Sequence, residues 1–429
     1  VIPLRHGVST AGGAHEVMIR IRAPERQGAA PKRTPLRLAL VIDRSGSMDG
    51  APLEEAKRCV GHIVTRLQPV DSVAVLAYDD AVHVPVPLQP ARSHQAILAA
   101  IREIESGGST DLFSRWEEGA KQLEGGDAQA ISRVILLSDG QANHGLVDAQ
   151  QIFKHCASWL AKGVTTTTVG LGRGFNEDLM VGMASAGGGQ HYYGKSAQDL
   201  YDGFDEELSL LNSLFLRRLR VKLVMAPGVI AEPLGLIKPD ANGWVPLSDL
   251  AWGSEAFLML RLHVPAQSEG TLASLLAVNL EAQSDEGQSI ALSIPPLAVP
   301  VLSPQDWQAL HVDATVASRL SEVEFAELSN RARSLVRQRQ VEEARALLAQ
   351  ARERFKDQPW IVGKLERLEA LLERDTVLAS KEMLYSAMKM SRRLAAASEA
   401  SFCADEMEST EMPAFLRRKL EEGRGRRRS

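Results

Sequence analysis

Between Leu36 and about Phe215, short apolar runs alternate with longer amphipathic ones, and this alternation constrains the fold more than any other feature of the chain. Leu36–Ile42, Ser72–Tyr78, Arg133–Leu137 and Val164–Leu171 are continuous apolar or β-branched stretches, as strands buried on both faces require. Between them, Leu53–Leu67, Ser93–Ile104, Leu112–Leu123, Val147–Ala161 and Asn176–Ala186 carry apolar residues at helical spacing. Repeated strand and helix units predict an α/β domain: a doubly wound, mostly parallel sheet with helices on both faces. Ligands of such sheets bind at the carboxyl ends of the strands.

The flanking segments follow a different period. In His15–Ala23, Val17, Ile19 and Ile21 face one way while Met18, Arg20 and Arg22 face the other. Leu219, Val221 and Leu223 alternate with Arg220 and Lys222, Asn242-Gly243 supplies a turn, and further faces follow. These are Leu258 to Val264, Leu276 to Leu280, and Ile290, Leu292 and Ile294. Period-two alternation predicts an antiparallel β-sandwich, with the N-terminal strand joining it and the α/β domain inserted in it. From Pro304 the composition turns to Ala, Leu, Glu and Arg at helical spacing. Leu335, Ala344, Leu347, Leu348, Ala351 and Phe355 mark one face of a helical hairpin that ends near Pro359, similar to a single tetratricopeptide unit without a second copy. The expected division is therefore 1–34 for the sandwich's N-terminal strand, 35–213 for the α/β domain, 214–303 for the sandwich, 304–397 for the helical region and 398–429 for a linker and basic tail. That tail sets seven basic side chains in Phe415–Ser429 against Glu421 and Glu422.

The chemistry concentrates where the first α/β strand ends, in Val41-Ile42-Asp43-Arg44-Ser45-Gly46-Ser47-Met48. Gly107-Gly108-Ser109-Thr110 precedes a helix and Leu137-Ser138-Asp139-Gly140 ends a strand, so both reach the same sheet edge. A hard divalent cation takes about six oxygen ligands in near-octahedral geometry and retains water readily. Asp43, Ser45 and Ser47 alternate along a tight connection that can turn their oxygens towards one point, and Thr110 and Asp139 arrive from two other loops. The bland alternative is that Ser45 and Ser47 only cap the following helix.

These three segments resemble the von Willebrand factor A domain, whose hallmark is Asp-x-Ser-x-Ser after the first strand, over about residues 36–210. The resemblance implies a metal-ion-dependent adhesion site holding Mg2+, with Mn2+ or Ca2+ as alternatives. In it Asp43, Ser45, Ser47 and Thr110 are metal ligands and Asp139 acts through water. The open position then accepts an Asp or Glu of a protein partner, which is adhesion and not catalysis. Several bacterial proteins with this domain work beside an ATPase, kinase or phosphatase.

Other signals are weaker. Gly170-Leu171-Gly172-Arg173-Gly174 lacks the third glycine of a dinucleotide loop, since Phe175 stands there. His144 and His191 read as surface hydrogen-bonding residues, and Gly187-Gly188-Gly189 as a turn. No P-loop, H-E-x-x-H, nucleophile elbow or spaced Cys/His pair occurs, so an enzyme is not expected. A metal-dependent phosphohydrolase or a scaffold recruiting through its C-terminal helices are the alternatives. The net charge of −5 argues against a DNA binder, and no run of eighteen apolar residues offers a membrane span. Cys59, Cys156 and Cys403 suggest no disulfide framework, and with the Ala/Arg/Leu-rich composition they point to a bacterial cytoplasmic protein.

Overall fold

The computed structural model describes residues 1–25, 34–78, 82–107, 111–126, 130–139, 145–171, 175–194, 197–391 and 395–396. The chain forms two compact units, Val1–Gly28 with Ser213–Ser429, and Ala29–Asn212. In chain order the first unit opens with β1 (Ile2–Pro3), β2 (Val8–Ser9) and β3 (Gly13–Arg22). The second unit then runs β4 (Leu36–Asp43), a 3-10 turn at Gly46–Met48, α1 (Ala51–Val64), β5 (Ser72–Tyr78), β6 (Val82–Pro90), α2 (His94–Arg102), α3 (Leu112–Gln122) and β7 (Ile131–Ser138). It continues with α4 (Ala149–Ala161), β8 (Val164–Leu171), α5 (Glu177–Ala186), β9 (Gly188–Gly194) and α6 (Ala197–Asn212). The first unit resumes with β10 (Leu214–Met225), β11 (Ile230–Pro233), β12 (Trp244–Pro246), β13 (Leu250–Ala251), β14 (Ser254–Val264), β15 (Leu272–Ser284) and β16 (Ser289–Leu302). It closes with α7 (Pro304–Ala309), α8 (Ala314–Arg337), α9 (Val341–Arg354), α10 (Pro359–Arg374), α11 (Thr376–Ser391) and β17 (Ala395–Ala396).

The second unit is the expected doubly wound sheet, in the order β6-β5-β4-β7-β8-β9. All its pairings are parallel except β5 with β6. β6 has no counterpart among the expected strands, because Pro85, Pro87 and Pro90 interrupt its apolar pattern. Proline cannot donate to a ladder, and an edge strand is where that loss is tolerated. Gly188 and Gly189 likewise belong to β9 and not to a turn ahead of it. On one face of the sheet, Tyr78, Trp116, Val134, Leu136, Ile152 and Met180 form part of a single apolar cluster. On the other, Arg133 and Glu207 form a buried ion pair. Thr167 Oγ1 and the Tyr192 hydroxyl also donate to Glu207, both at 2.9 Å, so α6 is held to β7, β8 and β9 by polar groups that are mutually satisfied.

The first unit contains two sheets, built around β1-β3-β14-β11 and β12-β10-β15-β16-β2, with antiparallel pairing throughout except for the parallel pairing of β16 with the short β2. In β3 and β14 the expected alternation gives way to burial on both faces. Met18, Phe257 and Met259 form a cluster with Val316 and Val323 of α8, so the helical region covers the outer face of this sheet. Arg20, predicted to face away from the core, lies 2.6 Å from Glu255, which also pairs with Arg319 of α8 at 3.1 Å. In β16, by contrast, Leu292 is 53% exposed although it shares a face with buried Leu280, its cross-strand partner. The β16 end of that face, with Leu292 and Ile294, is therefore exposed while its β15 residues remain core. The predicted hairpin forms from α8 and α9, and α10 and α11 pack onto it through Ile361, Leu365, Leu372 and Met383. Pro359 opens α10 as well as following α9. The linker and basic tail at 398–429 lie outside the described residues.

His15, on β3 opposite Leu262, is 3% exposed and among the described residues its Nε2 has no hydrogen-bond partner. Burial pushes its pKa down to about 4. An unfolded histidine titrates near 6.5, so the neutral form stabilises the fold above that pH and the contribution falls as pH drops towards 4. Between pH 7 and pH 5 this group should cost about 2 kcal/mol of stability. Denaturant melts of the wild type and His15→Leu should show a shallower pH dependence in the variant over this range.

Candidate metal centre

Asp43 ends β4, the central strand, and is fully buried. Parallel register sets it beside Tyr78 of β5, and Ile42 beside Leu137 of β7, which places Ser138 next to Asp43 on the other side. The Ser138 hydroxyl donates to Asp43 Oδ2 at 2.5 Å. Immediately after the strand the chain turns back, and the Ser45 N–H donates to Asp43 Oδ1 at 2.9 Å. The turn is closed by Met48 N–H to the Ser45 carbonyl at 2.8 Å and anchored by the buried Met48 side chain. It sets the Ser45 and Ser47 hydroxyl oxygens 3.2 Å apart. Gly50, at φ +75°, then redirects the backbone into α1, a conformation that favours glycine. Neither Ser45 nor Ser47 caps that helix, whose N-cap is Gly50.

Two other loops are drawn to this turn. The Gly107 N–H donates to the Arg44 carbonyl at 2.8 Å, and Arg44 Nη1 donates to the Glu105 carbonyl at 2.8 Å. Asp111 caps α3 by accepting from the Ser114 N–H at 3.1 Å. At Gly145, φ is +71° and an added Cβ would come 2.5 Å from Asp111 Oδ1, so the chain after Asp139 approaches the start of α3 closely. Asp139 is itself buried, and its carbonyl accepts the Asn176 N–H at 2.8 Å, which ties it to the start of α5.

The structure thus brings Asp43, Ser45 and Ser47 into one hydrogen-bonded turn, with the Asp139 carboxylate close enough to repel the charge on Asp43. Thr110 lies outside the described residues, as do His144 and Gly172–Gly174, while Gly107 and Asp111 on either side of Thr110 are placed. His191 sits on β9 with Nδ1 2.9 Å from Thr168 Oγ1. Ser138 escapes a reading that attends only to Asp139 beside it. Its signal was the register, since counting β4 against β7 puts residue 138 beside residue 43.

Burial raises the Asp43 pKa above the usual carboxylate value, and the Asp139 charge adds to this. The hydrogen bonds from Ser138 and Ser45 oppose the shift without cancelling it. Among the described residues, no group of three or more His, Cys, Asp or Glu side chains is assembled to hold a metal. The donors at this edge are hydroxyls and two carboxylates. Such a set suits a hard cation that prefers oxygen and not one that requires thiolate or imidazole.

Residues 38–206 match the family model of the von Willebrand factor type A domain, and this segment of the chain is such a domain. The chain is similar to protein sll0103 of Synechocystis, with 27% identity over 259 residues, covering 57% of this chain and 61% of that protein. It is also 27% identical over 244 residues to YfbK of Escherichia coli, covering 54% of this chain and 42% of YfbK. It thus spans less than two thirds of the length of either relative. In fold it resembles a von Willebrand factor type A structure from Catenulispora acidiphila, with a TM-score of 0.71 and 16% identity, covering 91% of this chain and 96% of that one. Among the described residues, no helix is long and apolar enough to cross a membrane.

Because Asp43 has a raised folded pKa, its charge weakens the fold at neutral pH, and stability is recovered as pH falls through that value. In chelator at pH 7, Asp43→Asn should therefore melt above the wild type. The gap should narrow as the pH is lowered, which paired thermal melts across the acidic range would show.

Proposed function

We propose that the chain is a metal-dependent protein-interaction module. Asp43, Ser45, Ser47 and Thr110 hold a divalent cation, Mg2+ in the first instance, and Asp139 acts through a bound water. The bound cation supplies an electrophilic position that an Asp or Glu of a partner protein completes. The observation that carries this reading is the buried Asp43 carboxylate, whose two oxygens are oriented by Ser45 and Ser138 beside the paired hydroxyls of Ser45 and Ser47. A carboxylate kept in a setting that disfavours its charge is what a cation site uses, since the cation offsets the penalty.

Binding is favoured over turnover because the described side chains at this edge offer ligands and no evident base or nucleophile. Two carboxylates with neutral hydroxyls balance a divalent charge on paper. When one carboxylate acts through water, the cation retains appetite for an incoming acid group. The partner's identity, including the ATPase, kinase or phosphatase implied by related bacterial proteins, belongs to this proposal. So does a cytoplasmic setting, in which the buried thiols of Cys59 and Cys156 stay reduced.

Calorimetric titration of the full chain with Mg2+ should give one site, weakened at least about tenfold in Asp43→Ala. A pull-down from the native source should recover a partner in Mg2+ that is lost both in EDTA and with Asp43→Ala. Equal recovery in all three conditions would refute the reading.

A further inference from the structure

Tyr78 ends β5 directly opposite Asp43 in the parallel register, and its ring packs in the cluster that contains Trp116, Leu112 and Leu136. The residue is 0% exposed. Its hydroxyl lies within reach of Asp43 and Ser138, with Asp139 also in electrostatic range, yet among the described residues it makes no hydrogen bond of good geometry. A buried hydroxyl without a partner costs stability, and a buried polar group left in that condition calls for an explanation. Phenylalanine would fill the same apolar space without the penalty. The ring therefore accounts for packing, while the oxygen is unexplained by it.

The capacity of the neighbouring carboxylate supplies an explanation. An ionised carboxylate accepts at about four lone-pair sites. In Asp43, the Ser45 N–H takes one on Oδ1, the Ser138 hydroxyl takes one on Oδ2, and the Ser45 hydroxyl is also within reach. When Ser45 Oγ turns to the cation as a ligand, Asp43 spends a third site on the metal, which leaves room for one more donor from the protein side. The Tyr78 hydroxyl is the buried donor that stands within reach of that carboxylate without a well-formed hydrogen bond. It is attached to a rigid ring clamped by the core, so small rotations of the C–O–H group suffice to aim it.

We propose that Tyr78 is a positioning residue of the metal centre, whose hydroxyl donates to the Asp43 carboxylate in the cation-holding state. With Ser138 it forms a two-hydroxyl backing from the neighbouring strands on either side, which fixes the direction in which Asp43 presents its remaining lone pairs. Supporting partners behind a ligating carboxylate typically contribute about 10- to 100-fold in metal affinity. This inference rests on the assignment of Asp43 as a cation ligand.

The test is Tyr78→Phe in the full chain, read by two independent measurements. Thermal melting in EDTA should place the variant at or above the wild type, because an unpaired buried oxygen has been removed. Calorimetric titration with Mg2+ should show affinity about tenfold weaker than the wild type, with a correspondingly smaller rise in melting temperature when Mg2+ is added. A purely structural hydroxyl predicts the reverse, a less stable variant with unchanged affinity, and that result overturns the proposal. Wild-type and variant affinities that coincide also overturn it, while leaving Asp43 as a ligand. If the wild type shows no Mg2+ binding that Asp43→Ala abolishes, the assignment of Asp43 and the role of Tyr78 fall together.

Discussion

The parallel pairing of β4 with β5 and β7 is the constraint on which the site depends. It makes β4 central, buries both its faces, and delivers the ends of three strands to one edge at matching heights. Asp43 can be wholly buried there because the strands beside it supply what a lone carboxylate lacks. Ser138 donates from β7, and Ser45 donates from the turn that follows β4 itself. Without that register the carboxylate would be an uncompensated charge in an apolar layer, which proteins rarely tolerate.

The compensation is incomplete. Burial still disfavours the Asp43 charge, Asp139 repels it, and among the described residues the Tyr78 hydroxyl makes no well-formed hydrogen bond. Local penalties of this kind tend to gather where function requires them, while the surrounding fold over-determines the geometry. Here that support comes from the apolar cluster beneath Tyr78 and from the Glu207 network on the opposite face of the sheet.

Much of the α/β unit was legible because its signals are local. Strands buried on both faces read as unbroken apolar runs, and the helices between them keep their own period, so Ser72–Tyr78 and Val164–Leu171 match β5 and β8 residue for residue. The Asp43 to Ser47 turn was legible for the same reason, being five consecutive residues. β6 was not, since three prolines erase the pattern of a strand that survives only by lying at the edge. In the other unit, Met18 and Arg20 carry the alternation of a half-exposed strand, and only the packing of α8 against them changes their environment. The helical character of 304–397 was legible throughout, but the packing of α10 and α11 onto the first hairpin was not, because helical period does not specify which helices pair.

Sequence alone determined the strand and helix alternation, the insertion of one unit within the other, and the oxygen-rich turn after the first α/β strand. Each is written in residues a few positions apart, where backbone geometry and hydrophobic period act directly. Tertiary structure decided that Ser138 and Tyr78 flank Asp43, 95 and 35 positions away, one donating and the other within reach without a well-formed hydrogen bond. It also decided which sheet face α8 would cover. Those outcomes depend on strand register and on the burial of distant surfaces, and neither is set until the chain has closed on itself.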